Sequence, residues 1–376
     1  MRADKQQQMG GGTVVEFEKP LGRKTGTVRN IALLPGDGIG PEVMAEGTKV
    51  LRAVANKLDR IEFSLTEVPA GAGEFLHSGT PLPESTLAAC RAADAILLGA
   101  MGVPSVRWPD GRELTPQIDI REQLDLYCGV RPIRLYHSND TPLKGYKAGA
   151  IDLVIVRENT EGLFAGRHSP GSAGEEEATD LMRITRRSSE RLFRSAFDIA
   201  RSRRRKVTLV DKANVLPSMV FFRKLFDEIA RGYPDVQAER IYVDAAALFL
   251  LRQPEDFDVL VTENMFGDIL SDLAAGLVGG MGMAPSADIG DRHALFQPSH
   301  GSAPDIAGKG AANPIAMILS VALMLDWLRH PQLSCGANMI RDAVETVMAH
   351  PSNRTPDLNG CLSTSAMGDL IVANLV

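Results

Sequence analysis

The chain has 376 residues, 44% of them hydrophobic and 23% charged, with a formal net charge of −6. That length buries a large core and favours two lobes over one, while the acidic balance excludes an electrostatic grip on nucleic acid or on an anionic membrane. No apolar run is long enough to span a bilayer, and four scattered cysteines (Cys90, Cys128, Cys335, Cys361) with no C-x-x-C pair read as reduced, buried thiols of a cytoplasmic protein.

Residues 1–27 contain Gln6-Gln7-Gln8 and Gly10-Gly11-Gly12 and no hydrophobic signal core, so they are expected to form a flexible leader. Strand and helix patterns alternate after that. Val28–Leu34 reads as a strand and Pro41–Leu58 as a helix with proline in its first turn. Between them runs Leu34-Pro35-Gly36-Asp37-Gly38-Ile39-Gly40-Pro41. Such a turn can hold phosphate at a helix N-terminus, or its glycines can serve backbone geometry alone. Neither G-x-G-x-x-G nor G-x-x-x-x-G-K-[ST] occurs, which argues against an ordinary Rossmann domain and against a P-loop.

Ile61–Val68 and Ala95–Leu98 read as strands, with a helix at Pro83–Ala92 between them. A helix at Pro116–Leu126 precedes a strand at Gly129–Leu135, and Ile151–Val156 is a β-branched run suited to a buried sheet. Gly166–Asp180 is a Gly/Ser/Glu loop, expected to be mobile. The helix Ser188–Arg203 ends in Arg203-Arg204-Arg205-Lys206, placed to complement the helix dipole before the strand Val207–Val210. Further helices are read at Pro217–Ala230, Asp244–Leu251, Asn264–Val278, Pro314–Leu328 (a buried core helix) and Ala337–Met348. The alternation predicts an α/β protein.

Several charged residues stand at the ends of these elements. Asp268 and Asp272 are four apart, so on a helix their carboxylates lie on one face and repel unless a cation intervenes. Hard oxygen ligands of that kind suit Mg²⁺ or Mn²⁺, although an acidic first helical turn is the plainer reading. Arg121, Arg131 and Arg157 each sit at a strand or helix end; three converging guanidinium forks would hold a small polycarboxylate, while the plainer reading of each arginine is an unrelated surface salt bridge. Leu114, Gln117, Ile118 and Arg121 share a helical stripe if the helix begins early enough, and Asp119 points away from it. Lys212 follows a buried strand. Near a cation its pKa would fall, leaving an amine able to take a proton; alternatively it pairs with Asp211 at the surface. Asp244 follows the strand Arg240–Val243 as a metal ligand or a helix N-cap.

Seven segments, in order, carry a family resemblance: LPGDGIGPEV from Leu34, IREQLDLYCGVRP from Ile120, VRENTEG from Val156, DKANVL from Asp211, YVDAAA from Tyr242, NMFGDILSD from Asn264 and HGSAPDIAGKGAANP from His300. Together they resemble the β-decarboxylating dehydrogenases, which act on 3-isopropylmalate, isocitrate, homoisocitrate, tartrate or D-malate. The resemblance implies a two-lobed isopropylmalate dehydrogenase-like fold with a central cleft. Its large cofactor-binding domain would be 28–126 plus 279–376, and its small domain, with the dimer interface, 127–278. It implies that Arg121, Arg131 and Arg157, with Gln117 and Ile118, bind the substrate. Asp268 and Asp272, with Asp244 of a second copy, would hold Mg²⁺ or Mn²⁺, and Lys212 of that copy would take the hydroxyl proton. Sites so shared make a homodimer obligatory.

His300, Gly301, Ser302, Ala303, Asp305, Ile306, Ala312 and Asn313 would line the cofactor site. Asp305 favours NAD over NADP, because a carboxylate accepts from a free ribose hydroxyl and repels a 2′-phosphate.

Two departures stand out. Phe164 occupies the place of the tyrosine that usually protonates the enol after CO₂ leaves, so either another group or water does so, or decarboxylation is slow. Gln297 stands where relatives often have glutamate. The resemblance implies oxidation, with β-decarboxylation, of a 3-substituted malate, 3-isopropylmalate or a close analogue. The alternatives are a tartrate/D-malate or isocitrate type with altered protonation, and a non-catalytic regulatory subunit.

Overall fold

The computed structural model describes residues 28–168 and 176–376; the expected leader, and residues 169–175 of the expected mobile loop, lie outside the described residues. Strands β1 (Val28–Gly36), β2 (Glu62–Glu67), β3 (Ala95–Ala100), β4 (Cys128–Arg134), β5 (Asp152–Glu158), β6 (Lys206–Asp211), β7 (Gln237–Tyr242), β8 (Val259–Thr262), β9 (Pro285–Ile289) and β10 (Ala294–Pro298) form one sheet. Their order is β2-β1-β3-β10-β9-β4-β5-β8-β6-β7. The wings β2-β1-β3-β10 and β5-β8-β6-β7 are parallel, whereas the centre, β10-β9-β4-β5, is antiparallel. Parallel strands need cover on both faces, which is why β3, β5 and β8 read as unbroken apolar runs and are buried almost throughout.

The first wing is covered by α1 (Gly40–Ala55), α9 (Ile315–Trp327), α10 (Pro331–Met348) and α11 (Thr364–Ala373). Nearly all of α9 is buried, as expected of Pro314–Leu328. The second wing is covered by α5 (Arg186–Arg201), α6 (Pro217–Ala230), α7 (Val243–Arg252) and α8 (Asn264–Gly276). The phenylalanines of α5 and α6 interlock there, with Phe193 and Phe222 centroids 4.6 Å apart. Two short helices, α2 (Ala72–Ser78) and α3 (Glu84–Ala92), lie between β2 and β3, and α4 (Pro116–Gln123) lies between β3 and β4.

Four elements escape the sequence pattern. Strands β9 and β10 hold only five residues each, begin or end on proline, and carry the polar residues Ser286, Asp288 and Gln297 in so short a span that no clear strand run stands out. Helix α2 is only seven residues long, and α11 is a ten-residue helix whose start is marked by an N-cap, Ser363, that accepts from the Ala366 N–H. Helix α10 starts at Pro331 rather than at Ala337.

Other expectations are refined or corrected. The basic run lies just beyond α5, at its C-terminal end, and has specific partners besides: Arg203 pairs with Asp258 at 2.8 Å and Asp152 at 2.7 Å, and Arg204 donates to the carbonyls of Asp152 and Phe257. These arginines tie the starts of β5 and β8 together. All four cysteines are free, but only Cys90 and Cys128 are buried; Cys335 and Cys361 are exposed. No described helix is long and apolar enough to cross a membrane.

Candidate active site

The antiparallel centre of the sheet determines which side chains meet. Opposed residues share a face, and so do residues two apart on one strand. Gly129 of β4 lies opposite Arg157 on β5 and opposite Asp288 on β9. Arg131, two residues on, therefore faces the same side, and the β9–β10 register brings Gln297 there too. Helix α4 adds Arg121, whose Nε donates to the Asp288 carboxylate at 2.9 Å. Arg121, Arg131 and Arg157 thus converge on one cavity of about 190 Å³. Gln117, Ile118 and Phe164 line it as well. Leu114 does not belong to this stripe, because α4 begins only at Pro116. Asp119 does turn away, toward Arg167 at 2.6 Å.

Helix α8 crosses the same face. Its N-cap is Glu263, whose carboxylate accepts from the backbone N–H of Met265 at 3.1 Å and Phe266 at 2.6 Å. Asn264 follows and accepts from Arg157 Nε at 3.0 Å and Nη2 at 2.6 Å. Gly267 is required by close approach: a Cβ there would lie 2.6 Å from the Arg157 side chain. Asp268 pairs with Arg157 and lies 3.7 Å from Arg131, which in turn reaches Ser271 at 2.6 Å and Asp272 at 3.5 Å.

The electrostatics of this cluster favour an anionic ligand. Burial, then the neighbouring Arg131 and Arg121, push Arg157 down to about 9. Burial likewise pushes Arg131 down, and its buried Nε makes no hydrogen bond. Small acids bring what such a pocket needs: acceptors for guanidinium forks and a compensating negative charge. Asp272 is raised, chiefly by burial and further by the Asp268 carboxylate one helical turn away.

The remaining expected site residues fall into two groups. His300 and Gly301 line the arginine cavity. Burial lowers the pKa of His300, whose Nδ1 lies 2.9 Å from the Gly301 carbonyl oxygen. Ser302 is docked on the glycine-rich turn, its carbonyl accepting from Ile39 N–H at 2.8 Å. Ala303 holds φ +39°, an unusual conformation for a residue with a side chain. Asp305 is exposed, Ile306 packs on the core, and the buried Asn313 accepts from Ile315 N–H at 3.0 Å. The buried Ala312 offers its carbonyl to Thr364.

Lys212 and Asp244 form the second group. They pair with each other at 2.6 Å, and this hydrogen bond lowers the Asp244 pKa. Asp211 is fully buried and pairs with Arg223, so the alternative Lys212–Asp211 bridge is absent. Asp244 is not the N-cap of α7; that residue is Tyr242, and Asp244 lies in the first turn. Among the described residues of one chain, no three His, Cys, Asp or Glu side chains converge as a metal site. Asp244 therefore does not join Asp268 and Asp272 within a single chain.

Asp288 was not among the expected residues. It is buried in β9 and is the hub of the cavity floor, accepting from Arg121 at 2.9 Å, Asn159 at 2.7 Å and Gln297 at 2.8 Å. Its signal was a lone carboxylate in a short apolar segment, Pro285-Ser286-Ala287-Asp288-Ile289, whose strand was itself missed.

Comparison with known proteins agrees with this geometry. The isocitrate/isopropylmalate dehydrogenase family model matches residues 30–371. The chain is 45% identical to a 3-isopropylmalate dehydrogenase of Priestia megaterium, over 92% of this chain and 95% of that one. With the 3-isopropylmalate dehydrogenase of Thermotoga maritima it shares 46% identity over 92% and 98%. The crystal structure of isocitrate dehydrogenase from Methylococcus capsulatus superimposes with a TM-score of 0.83 at 40% identity, covering 92% of this chain and 99% of that one. The chain therefore belongs to the isocitrate/isopropylmalate dehydrogenase family, oxidoreductases that act on the CH–OH group of a hydroxy acid.

Proposed function

We propose that this protein is an NAD-dependent, Mg²⁺- or Mn²⁺-dependent dehydrogenase of a 3-substituted malate, 3-isopropylmalate or a close analogue, and that it decarboxylates its product. The observation that carries this reading is the convergence of Arg121, Arg131 and Arg157 on one cavity beside Asp268. The relatives named 3-isopropylmalate dehydrogenase, at 42–46% identity, support the choice of substrate.

Two carboxylates one helical turn apart, both partly exposed beside the cavity, fit a hard divalent cation: Asp268 and Asp272 would hold it, with Asp244 of a second copy. When bound, such an ion polarises the substrate's hydroxyl and carbonyl oxygens. The three arginines fix the carboxylates. Lys212 of the second copy would accept the hydroxyl proton, and a bound nicotinamide cofactor would supply the hydride acceptor. The loop from His300 to Asn313 would hold the nucleotide, and the exposed Asp305 would accept from a ribose hydroxyl, hence NAD rather than NADP.

A homodimer follows from the same reading. Large apolar side chains are exposed on and beside α6, α7 and α8 (Val215, Val220, Tyr242, Leu248, Leu251, Ile269), near the Lys212–Asp244 pair. Such a face is suited to a second copy. The lobes would be 28–126 plus 279–376, and 127–278.

The test is NADH formation from a panel of 2-hydroxy acids with Mn²⁺, with CO₂ measured in parallel. We expect turnover with 3-substituted malates, abolished by a chelator and restored by Mn²⁺. Activity indifferent to the chelator would remove the metal from this account, and no NADH from any acid would overturn the reading.

A further inference from the structure

The arginine cavity is not the whole cleft. A second cavity of about 680 Å³ adjoins it, and Ile118 and Phe164 line both. Behind that shared boundary stand Trp108, Leu163 and Met265. Trp108 is held edge-on by Phe75, ring centroids 5.0 Å apart at 69°. Of the charged residues around this space, which include Asp180, most are already matched: Arg167 pairs with Asp119 at 2.6 Å and Glu122 at 2.7 Å, Arg112 with Asp110 at 2.7 Å, and Glu113 with Arg107 at 2.7 Å. What they leave for a ligand is mainly apolar and aromatic surface.

Phe164 makes the passage between the two cavities apolar. Its ring faces the Arg157 guanidinium, 5.5 Å from the centroid, so the side that meets the arginines is a π-face with no hydroxyl. A tyrosine here would put a polar group, in need of a partner, at the mouth of the larger space. A volume of this size is within the range, about 300–1,000 Å³, of pockets that enclose drug-sized ligands. It far exceeds what three carbons of an isopropyl group fill.

We propose that the second cavity is the subsite for the 3-substituent of the malate and that it takes a group larger than isopropyl, apolar and arylalkyl in character. This rests on the dehydrogenase reading above. With the carboxylates held by the arginines, the substituent passes between Ile118 and Phe164 and stacks its ring against Phe164 and Trp108, an arrangement aromatic pairs favour. Phe164 is then a specificity-determining residue.

The experiment compares kcat/KM for 3-methyl-, 3-isopropyl- and 3-benzylmalate with NAD⁺ and Mn²⁺. Even a single methylene in a fitted apolar pocket is worth about 10-fold or more. The benzyl compound should therefore exceed the isopropyl compound by at least about 10-fold. Leu163→Trp, which fills the space, should lower the benzyl-to-methyl ratio by about 10-fold or more. Met265→Trp, from a different element, should act in the same direction and serves if the first variant does not fold. Benzylmalate at or below isopropylmalate, or a ratio unmoved by both variants, overturns the subsite and leaves the dehydrogenase reading standing. No NADH from any of the three overturns both.

Discussion

Gln297 illustrates what one side chain means only beside its neighbours. Its amide donates to Asp288, which already accepts from Arg121 and Asn159. A glutamate there would place a second carboxylate against a buried one. The departure from the family pattern is thus a neutral donor completing the shell of Asp288. Phe164 is the other departure, and it has no group able to give a proton. If protonation of the enol limits turnover, Phe164→Tyr should raise the rate of formation of the final 2-oxo acid by up to about 10²–10⁴, read as the lag between CO₂ release and 2-oxo acid formation in a single turnover. An unchanged lag would mean that another group already does this work. Arg131→Lys keeps the charge and loses the fork; with a buried partner broken, at about 2–5 kcal/mol, KM for the hydroxy acid should rise by at least 10-fold by that reckoning, measured by initial rates.

At the scale of elements, the glycine-rich turn has a role that its residue types left open. Asp37, buried in it, accepts from the backbone N–H groups of Ala72, Gly73 and Gly102. Gly38 lies at φ +58°, and a Cβ on it would approach the Ser302 carbonyl to 2.0 Å. The turn is therefore a seat for the loop that starts at His300. Gly38→Ala should displace that loop, costing about 1–3 kcal/mol from backbone strain alone. KM for NAD should rise more than KM for the hydroxy acid; equal changes in both, or none, would separate the turn from the cofactor. Helix α8 was legible because its motif, Asn264 to Asp272, follows an apolar strand directly. Strands β9 and β10 were not, because each is only five residues long and bounded by proline, too short for a periodic pattern to identify a strand.

For the whole molecule, the arrangement of the acidic residues makes a quantitative prediction. Asp268 and Asp272 stand by the arginines, while Asp244 is engaged with Lys212. If two copies share each site, Lys212→Ala and Asp268→Asn are each inactive alone. Mixed after unfolding and refolding, they should recover about a quarter of wild-type activity, because half the dimers are mixed and each of those holds one intact site of two. No recovery, with dimers shown to exchange, would mean each chain supplies its own base and metal ligands.

The α/β class, the strands and helices other than β9, β10, α2 and α11, and the identity of the charged residues at strand ends were all determined by the sequence. They follow from local periodicity and from which residue types tolerate a turn, a cap or a buried strand. The convergence of Arg121, Arg131 and Arg157, and the place of Asp288 beneath them, was decided only by tertiary structure. Arg121 and Asp288 are 167 residues apart and touch because β9 lies beside β4 in an antiparallel register. Strand order and register arise from how whole faces bury against one another, and no window of sequence contains that information.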